Sequence, residues 1–175
     1  KVFWKADATP RIVGPLFLVW AAIVCGASAA EPTRLAEQGM ARMAVVVGPK
    51  TSPRIRTAAG ELADYLGRIG GATFAIEEGH GAQGIVVGLT NDFPAVRIDE
   101  RFAPADPFRR DEYILRSHAR GLWVLGATDS AVEHAVWDLL HRLGYRLFFL
   151  TDTWEIVPQQ ADLTLAVDVY EKPDY

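Results

Sequence analysis

The stretch at residues 121–150, GLWVLGATDSAVEHAVWDLLHRLGYRLFFL, decides the fold more than any other part of the chain. It begins with an apolar strand that ends at Gly126, continues as a helix with one apolar face, and turns at Gly144 into an aromatic strand. Ser130 and Glu133 have the spacing of a capping box, which predicts that this helix begins near Ser130. A strand, a helix and a second strand in this order predict an α/β unit.

Apolar runs and glycines on either side extend this unit. Another helix is predicted at about residues 54–69, because its apolar residues recur at helical spacing and Gly70-Gly71 follows it. The remaining strands are predicted from short apolar or alternating runs at residues 43–47, 73–77, 85–87, 112–116, 122–125, 145–150 and 163–167. Two helices and about six strands predict a two-layer α/β sandwich.

The hydrophobic pattern of the strands also predicts whether the second face of the sheet is covered, which matters for function. Residues 45–47 and 85–87 are apolar at every position, as is typical of strands that are buried on both faces. Two helices cover about one face of such a sheet. The sequence therefore predicts an uncovered second face and a missing partner, most simply a following domain. The alternative is that the long loop at 89–110 and the C-terminal tail cover this face.

The first 30 residues have the three parts of a secretory signal peptide. Basic residues precede an apolar run at 12–24, and small residues follow at 27–30. The apolar run is too short to span a bilayer comfortably, although a retained anchor is the alternative. We therefore predict that residues 1–30 are removed and that residues 31–175 form one domain, in a secreted or periplasmic protein.

Composition excludes some classes of function. The chain has 175 residues and a formal net charge of −4, which gives no electrostatic footprint for nucleic acid. Its one cysteine, Cys25, lies within the predicted signal peptide. The mature part is therefore expected to form neither a disulfide nor a thiolate metal site.

No motif in the chain predicts catalysis or a cofactor. His134, Asp138 and His141 share one stripe of the second helix and are of ligand type for zinc, but H-E-x-x-H is absent and a solvated face is the favoured interpretation. Gly48, Gly88 and Gly126 each end a strand, and the polar residues after them are interpreted as turns and caps. The carboxylates of the 89–110 loop alternate with arginines, which predicts a self-paired surface and not a glycosidase pair.

Four aromatic residues are candidate interface residues. Phe148 and Trp154 lie near the C-terminus, and Phe102 and Phe108 lie in the long loop. Aromatic side chains occur in cores, at domain interfaces and on sugar-binding surfaces. Packing in the core or at an interface is favoured over sugar binding for the C-terminal pair, and docking on a partner is expected for the loop.

Several sequence blocks together resemble a known domain type. They lie at residues 58–72, 85–88, 126–140, 143–148 and 157–158. They resemble the N-terminal domain of alpha-glucuronidases, a type shared with the second domain of beta-N-acetylhexosaminidases. They equally resemble the N-terminal part of secreted proteins in which this domain precedes a larger barrel. The resemblance covers about residues 40–175.

The resemblance implies a mixed sheet with two helices on one face, similar to zinc peptidases but without their metal site. It implies a non-catalytic accessory domain of a secreted glycoside hydrolase that degrades polysaccharide. A TIM-type barrel, expected after Tyr175 and absent here, would carry the acid and the nucleophile or base. No catalytic residue, cofactor or metal ligand carries over, because no position matches one. The alternative is a stand-alone carbohydrate-binding or protein-interaction module, and a degenerate metallopeptidase-like protein ranks third.

Overall fold

The computed structural model describes residues 30–149 and 152–172. The α-helices in these residues are α1 (Pro53–Gly70) and α2 (Asp129–Arg142), and short 3₁₀ turns lie at Thr90–Asp92 and Asp152–Trp154. The strands, in chain order, are β1 (Thr33–Glu37), β2 (Met40–Ala41), β3 (Val45–Val47), β4 (Ile76–Glu78), β5 (Gly84–Leu89), β6 (Tyr113–His118), β7 (Gly121–Gly126), β8 (Arg146–Leu147), β9 (Glu155–Ile156), β10 (Leu163–Leu165) and β11 (Asp168–Glu171). The predicted signal peptide lies, apart from its last residue, outside the described residues and stays a prediction.

Six strands form one mixed sheet in the order β11-β6-β7-β5-β3-β4. Strands β7, β5, β3 and β4 run parallel to one another, whereas β6 and β11 run antiparallel to their neighbours. Both helices pack on one face of this sheet in a single buried apolar cluster. The predicted two-layer α/β arrangement is therefore confirmed, while the further likeness to zinc peptidases has no support.

Helix α1 has the capping residues that its sequence predicts. The Ser52 hydroxyl accepts a hydrogen bond from the backbone N–H of Ile55 at 3.3 Å, and proline follows at the first helical position. Gly71 ends the helix in the left-handed region, with φ of 65°, and its N–H donates to the Gly67 carbonyl. One face packs into the core through Ile55, Ala58, Ala59, Leu62, Ala63, Leu66, Ile69 and Gly70.

Helix α2 begins earlier than its sequence pattern predicts. The N-cap is Thr128, whose hydroxyl accepts from the backbone N–H of Ala131 at 3.3 Å. Glu133 does not bond back to the helix start, because its carboxylate forms a two-point ion pair with Arg54 of α1 at 2.6 Å. The predicted capping box of Ser130 and Glu133 is therefore wrong, and Glu133 joins the two helices instead.

The second face of the sheet is covered by the chain itself. Residues 90–112, here called the covering loop, cross this face and place the fully buried ring of Phe93 against Val86 and Leu125. Glu100 of the same loop pairs with Arg116 of β6 at 2.6 Å. The prediction of an uncovered second face is therefore wrong. The apolar residues of the loop supply the cover that the sequence argument assigned to a missing domain.

Several short strands differ from their predicted bounds. The aromatic strand predicted at 145–150 is only the two-residue β8, which pairs with β9 in a separate small sheet. Strand β11 takes the sheet edge, and β10, β1 and β2 form a three-stranded sheet of their own. Among the described residues, neither helix has the length and apolar character needed to cross a membrane.

Candidate functional site

The carboxyl ends of the parallel strands are the usual position for a ligand in such a sheet. Here the Ser52 hydroxyl, after β3, donates to Asp129 Oδ2, after β7, at 2.6 Å. The Thr51 hydroxyl donates to Asp92 Oδ2 at 3.2 Å, and the same oxygen accepts from Leu89 N–H. These polar side chains join three strand ends and cap the helices, as the interpretation of turns and caps predicts.

Four glutamates among the described residues have a lowered pKa, and each is ion-paired with an arginine. The pairs are Glu100 with Arg116, Glu112 with Arg109, Glu133 with Arg54, and Glu155 with Arg68. Hydrogen bonds from arginine hold the pKa of Glu100, Glu133 and Glu155 below its usual value. Burial raises the pKa of Glu112, but hydrogen bonds from Arg109 and Tyr170 lower it further than burial raises it. A glycosidase general acid needs the opposite shift, a raised pKa.

The polar stripe of α2 does not form a ligand set. Asp138 Oδ2 accepts from the Tyr113 hydroxyl at 3.1 Å and pairs with Arg142 at 3.0 Å. His134 and His141 are exposed, and the ring of His141 stacks on another aromatic ring. Within the described ranges, no group of three or more histidine, cysteine, aspartate or glutamate side chains is placed to hold a metal ion.

A group of exposed apolar side chains lies on residues 145–156, here called the aromatic hairpin, which contains β8 and β9. Its members are Leu147, Phe148, Phe149, Trp154 and Ile156, each between 43 and 65% exposed. The rings of Phe149 and Trp154 meet edge to face with centroids 5.4 Å apart. Single exposed apolar residues are normal on a protein surface, but five on one short segment, two of them in ring contact, make this segment a candidate contact surface.

The base of the aromatic hairpin is fixed to both helices. The Glu155 carboxylate accepts from the hydroxyls of Tyr65 and Tyr145 at 3.0 and 3.2 Å, and it also pairs with Arg68 of α1. Trp137 of α2 packs its ring against Tyr65 and Tyr145, at 5.5 and 5.7 Å between centroids. The exposed rings are therefore carried on a buried, hydrogen-bonded base, and little ordering is needed for them to bind a partner.

The structure separates the four predicted interface residues. Phe148 and Trp154 lie together on the aromatic hairpin, where the backbone N–H of Phe148 donates to the Trp154 carbonyl at 3.1 Å. Phe102 is partly buried and packs on the second face of the sheet, with its ring 6.0 Å from that of Tyr170. Phe108 is exposed in the covering loop. Whether any of the four contacts a partner stays a prediction.

Leu147 and Ile156 were not identified from the sequence as exposed residues, and Phe149 was not among the four candidate interface residues. Leu147 and Phe149 lie in the apolar run at 145–150, which predicts a buried strand, and nothing in the run itself shows that it is exposed. Ile156 lies in no predicted strand. The available signal was the shortness of the flanking segments. A hairpin with strands of two residues each has too few neighbours to bury consecutive aromatic side chains.

No family model matches the sequence, and no curated protein matches it. Among solved structures, a family GH115 4-O-methyl-alpha-glucuronidase with specificity for decorated arabinogalactans matches 79% of this chain with a TM-score of 0.59 and 19% sequence identity. The chain spans 18% of the length of that enzyme. A GH138 enzyme targeting pectin rhamnogalacturonan II matches 57% of this chain and 13% of its own, with a TM-score of 0.41 and 12% identity.

The first of these matches shows a shared fold. The resemblance to an alpha-glucuronidase that the sequence blocks suggested is thereby confirmed at the level of the fold: this chain folds like one part of a glycoside hydrolase. The second match is too distant to add to the argument.

Proposed function

We propose that this chain is a non-catalytic accessory domain of a secreted glycoside hydrolase of the alpha-glucuronidase type. In this proposal the aromatic hairpin docks on a catalytic barrel of the same polypeptide and helps to hold it in place. The observation that carries the proposal is the group of five exposed apolar side chains on a fixed base. The aromatic hairpin takes over the docking role that the sequence argument gave to the second face of the sheet.

The fold supports the class of parent protein. The matching alpha-glucuronidase is a much longer chain, of which the shared fold is 18%. Its name states that it acts on decorated arabinogalactans, and we carry over the general class, degradation of plant or microbial polysaccharide. The polysaccharide substrate and the glycosidic linkage form no part of the proposal.

The electrostatics of the described residues support a non-catalytic role. Glu100, Glu112, Glu133 and Glu155 are each paired with an arginine, and each has a lowered pKa. These carboxylates are therefore held ionised and are unsuited to protonate a leaving group. Catalysis in the proposed parent therefore comes from another domain.

The signal-like residues 1–30 support secretion or export to the periplasm.

Thermal unfolding of the polypeptide encoded by the complete gene tests this docking. We expect this domain and the catalytic domain to unfold in one coupled transition, because the aromatic hairpin is buried between them. The double variant Phe149→Ser, Trp154→Ser should split the transition into two. Met40→Ser is the control, since Met40 is 54% exposed on β2 and lies outside the aromatic hairpin.

Two results would contradict the proposal. One is a complete gene in which no domain with paired catalytic carboxylates accompanies this one. The other is an unfolding profile that the double variant and the Met40→Ser control change equally.

A stand-alone carbohydrate-binding module is the second candidate. It is favoured by the edge-to-face pair of Phe149 and Trp154, because exposed aromatic rings can stack on sugars. The exposed aliphatic side chains of Leu147 and Ile156 on the same segment favour a protein partner instead. Titration of the chain with oligosaccharides distinguishes the two, since a sugar platform at the aromatic hairpin would change the fluorescence of Trp154.

A further inference from the structure

A cleft of about 340 Å³ opens between the carboxyl ends of β5 and β7 and the covering loop. Crevices at this position are where α/β sheets commonly bind ligands. The cleft lies beside the turn-and-cap network described above but is lined by other side chains. Those that matter here are Leu89, Thr90, Asn91, Arg101, Phe102 and Pro104.

The lining combines an apolar wall with three polar side chains, of which Asn91 and Arg101 are exposed to solvent and Thr90 is half-buried. The Thr90 hydroxyl, the Asn91 amide and the Arg101 guanidinium make no hydrogen bond or ion pair with any other described residue. The acidic residue of the lining, Glu100, pairs with Arg116 at 2.6 Å, and Arg116 also pairs with Asp168 at 2.6 Å. Arg101 is therefore the one cationic residue of the lining, and Thr90 and Asn91 add hydrogen-bonding side chains beside it.

The walls of the cleft are held in place from behind. The Arg101 carbonyl accepts from Arg109 Nη2 at 2.9 Å, and the neighbouring Phe102 packs on the second face of the sheet. On the opposite wall, Asp92 fixes the turn that carries Thr90 by accepting from the backbone N–H of Leu89. Binding sites for small molecules are usually preformed in this way.

We propose that this cleft binds a saccharide unit that carries an anionic group, either a carboxylate or a sulfate ester. The anion pairs with Arg101, hydroxyl groups of the sugar bond to Thr90 and Asn91, and the C–H face of the ring lies on Phe102 and Pro104. The choice of a sugar rests on the proposed function. The preference for an anion rests on the unpaired charge of Arg101.

The test is a titration of the ¹⁵N-labelled chain, followed by NMR, with methyl glucuronide, with glucose 6-sulfate and with neutral methyl glucoside. We expect at least one anionic sugar to shift the amides of Thr90, Asn91 and Arg101, and to bind about tenfold or more tightly than the neutral sugar. The two anionic sugars distinguish a carboxylate from a sulfate ester. Arg101→Gln should remove this advantage. Arg97→Gln is the control, because Arg97 is an exposed arginine of the same loop outside the lining.

Equal binding of the neutral and anionic sugars would overturn the proposal, as would an Arg101→Gln variant that binds as tightly as the Arg97→Gln control. Shifts confined to the aromatic hairpin would also overturn it and would support the stand-alone binding module instead. Trp154→Ala should leave binding at the cleft unchanged. A failure of docking by the aromatic hairpin and a failure of sugar binding at the cleft are therefore separate results.

Discussion

The covering loop and the aromatic hairpin both contain several aromatic residues, and both lie outside the six-stranded sheet and the two α-helices. The aromatic side chains of the two segments nevertheless differ in burial. Phe93 of the loop is fully buried, whereas Phe149 of the hairpin is 65% exposed. The loop is long enough to lie across a sheet face that is already apolar, and the hairpin has no such face to cover. Aromatic content alone therefore does not identify a contact surface. Whether aromatic side chains are buried depends on whether the segment has an apolar surface of the same chain to cover.

The two segments are nonetheless anchored by similar chemistry. Glu112 of the loop is bonded by Arg109 and by the hydroxyl of Tyr170, and Glu155 of the hairpin is bonded by Arg68 and by two tyrosine hydroxyls. In each case a nearly buried carboxylate holds a segment in position. The two segments differ in the burial of their aromatic side chains, which is complete for Phe93 of the loop and low for Phe149 of the hairpin.

The largest effect is expected where the loop covers the sheet. Phe93→Ala should lower the free energy of unfolding by about 3–5 kcal/mol, because it leaves a cavity on the second face. Phe149→Ala should change it by less than about 0.5 kcal/mol, since the ring is exposed. Urea unfolding of the two variants measures both changes, and equal losses of unfolding free energy would contradict the difference between loop and hairpin.

The anchors should have the next largest effect. Glu155→Ala should destabilise the protein by about 1–3 kcal/mol, because two tyrosine hydroxyls lose their acceptor near the core. Backbone amides of the aromatic hairpin should then exchange with deuterium faster than those of the covering loop. Glu112→Ala should give the reverse pattern of exchange, and a uniform change in both segments would contradict the assignment of separate anchors.

The join between the loop and α2 should have a smaller effect. The Thr128 hydroxyl caps α2 and also donates to the Arg110 carbonyl of the covering loop at 2.8 Å. Thr128→Ala should cost about 1 kcal/mol in unfolding experiments. Ser130→Ala is the matched control and should cost less than about 0.5 kcal/mol. A larger loss of stability for Ser130→Ala than for Thr128→Ala would contradict Thr128 as the cap and support the capping box predicted from the sequence.

The pH dependence of stability should be the smallest of these effects. Hydrogen bonds from Arg68 hold the pKa of Glu155 below its usual 4.5 in the folded protein. The unfolded state therefore takes up the proton first, so the stabilisation is complete above about pH 4.5 and is lost as the pH falls through the lower, folded-state pKa. Urea unfolding from pH 6 to pH 3 should show a shallower loss in Glu155→Gln than in the wild type, and parallel curves would contradict this.

Local sequence signals predicted the helical layer well. Helix α1 has a serine cap, apolar residues at helical spacing and a glycine end, and each of these acts as its residue type predicts. The β6–β7 hairpin also follows from its two apolar runs. Strands β1 and β11 were missed, because each run, such as Asp168–Glu171, holds only two adjacent apolar residues between polar ones and shows neither alternation nor a clear apolar stretch. Their pairing is decided by partners far away in the sequence.

The candidate site was only partly predictable from the sequence for a related reason. Phe148 and Trp154 were predicted from their residue type to be interface residues and are exposed, but the same prediction included Phe102, which packs on the sheet. Exposure depends on whether a distant segment reaches a side chain, and residue type and spacing do not carry that information. The uncovered second face was predicted wrongly, because a missing domain was favoured over the stated alternative, cover by the long loop.

In the proposed function the aromatic hairpin, and not the second face of the sheet, docks on a catalytic domain. Hydroxyl-radical footprinting of this chain alone and of the polypeptide that the complete gene encodes is the closest test of this docking. We expect Phe149 and Trp154 to be oxidised rapidly in the chain alone and protected several-fold in the complete polypeptide, while Phe93 is protected in both. Equal oxidation of Phe149 and Trp154 in the two samples, or oxidation of Phe93 in the chain alone, would contradict it.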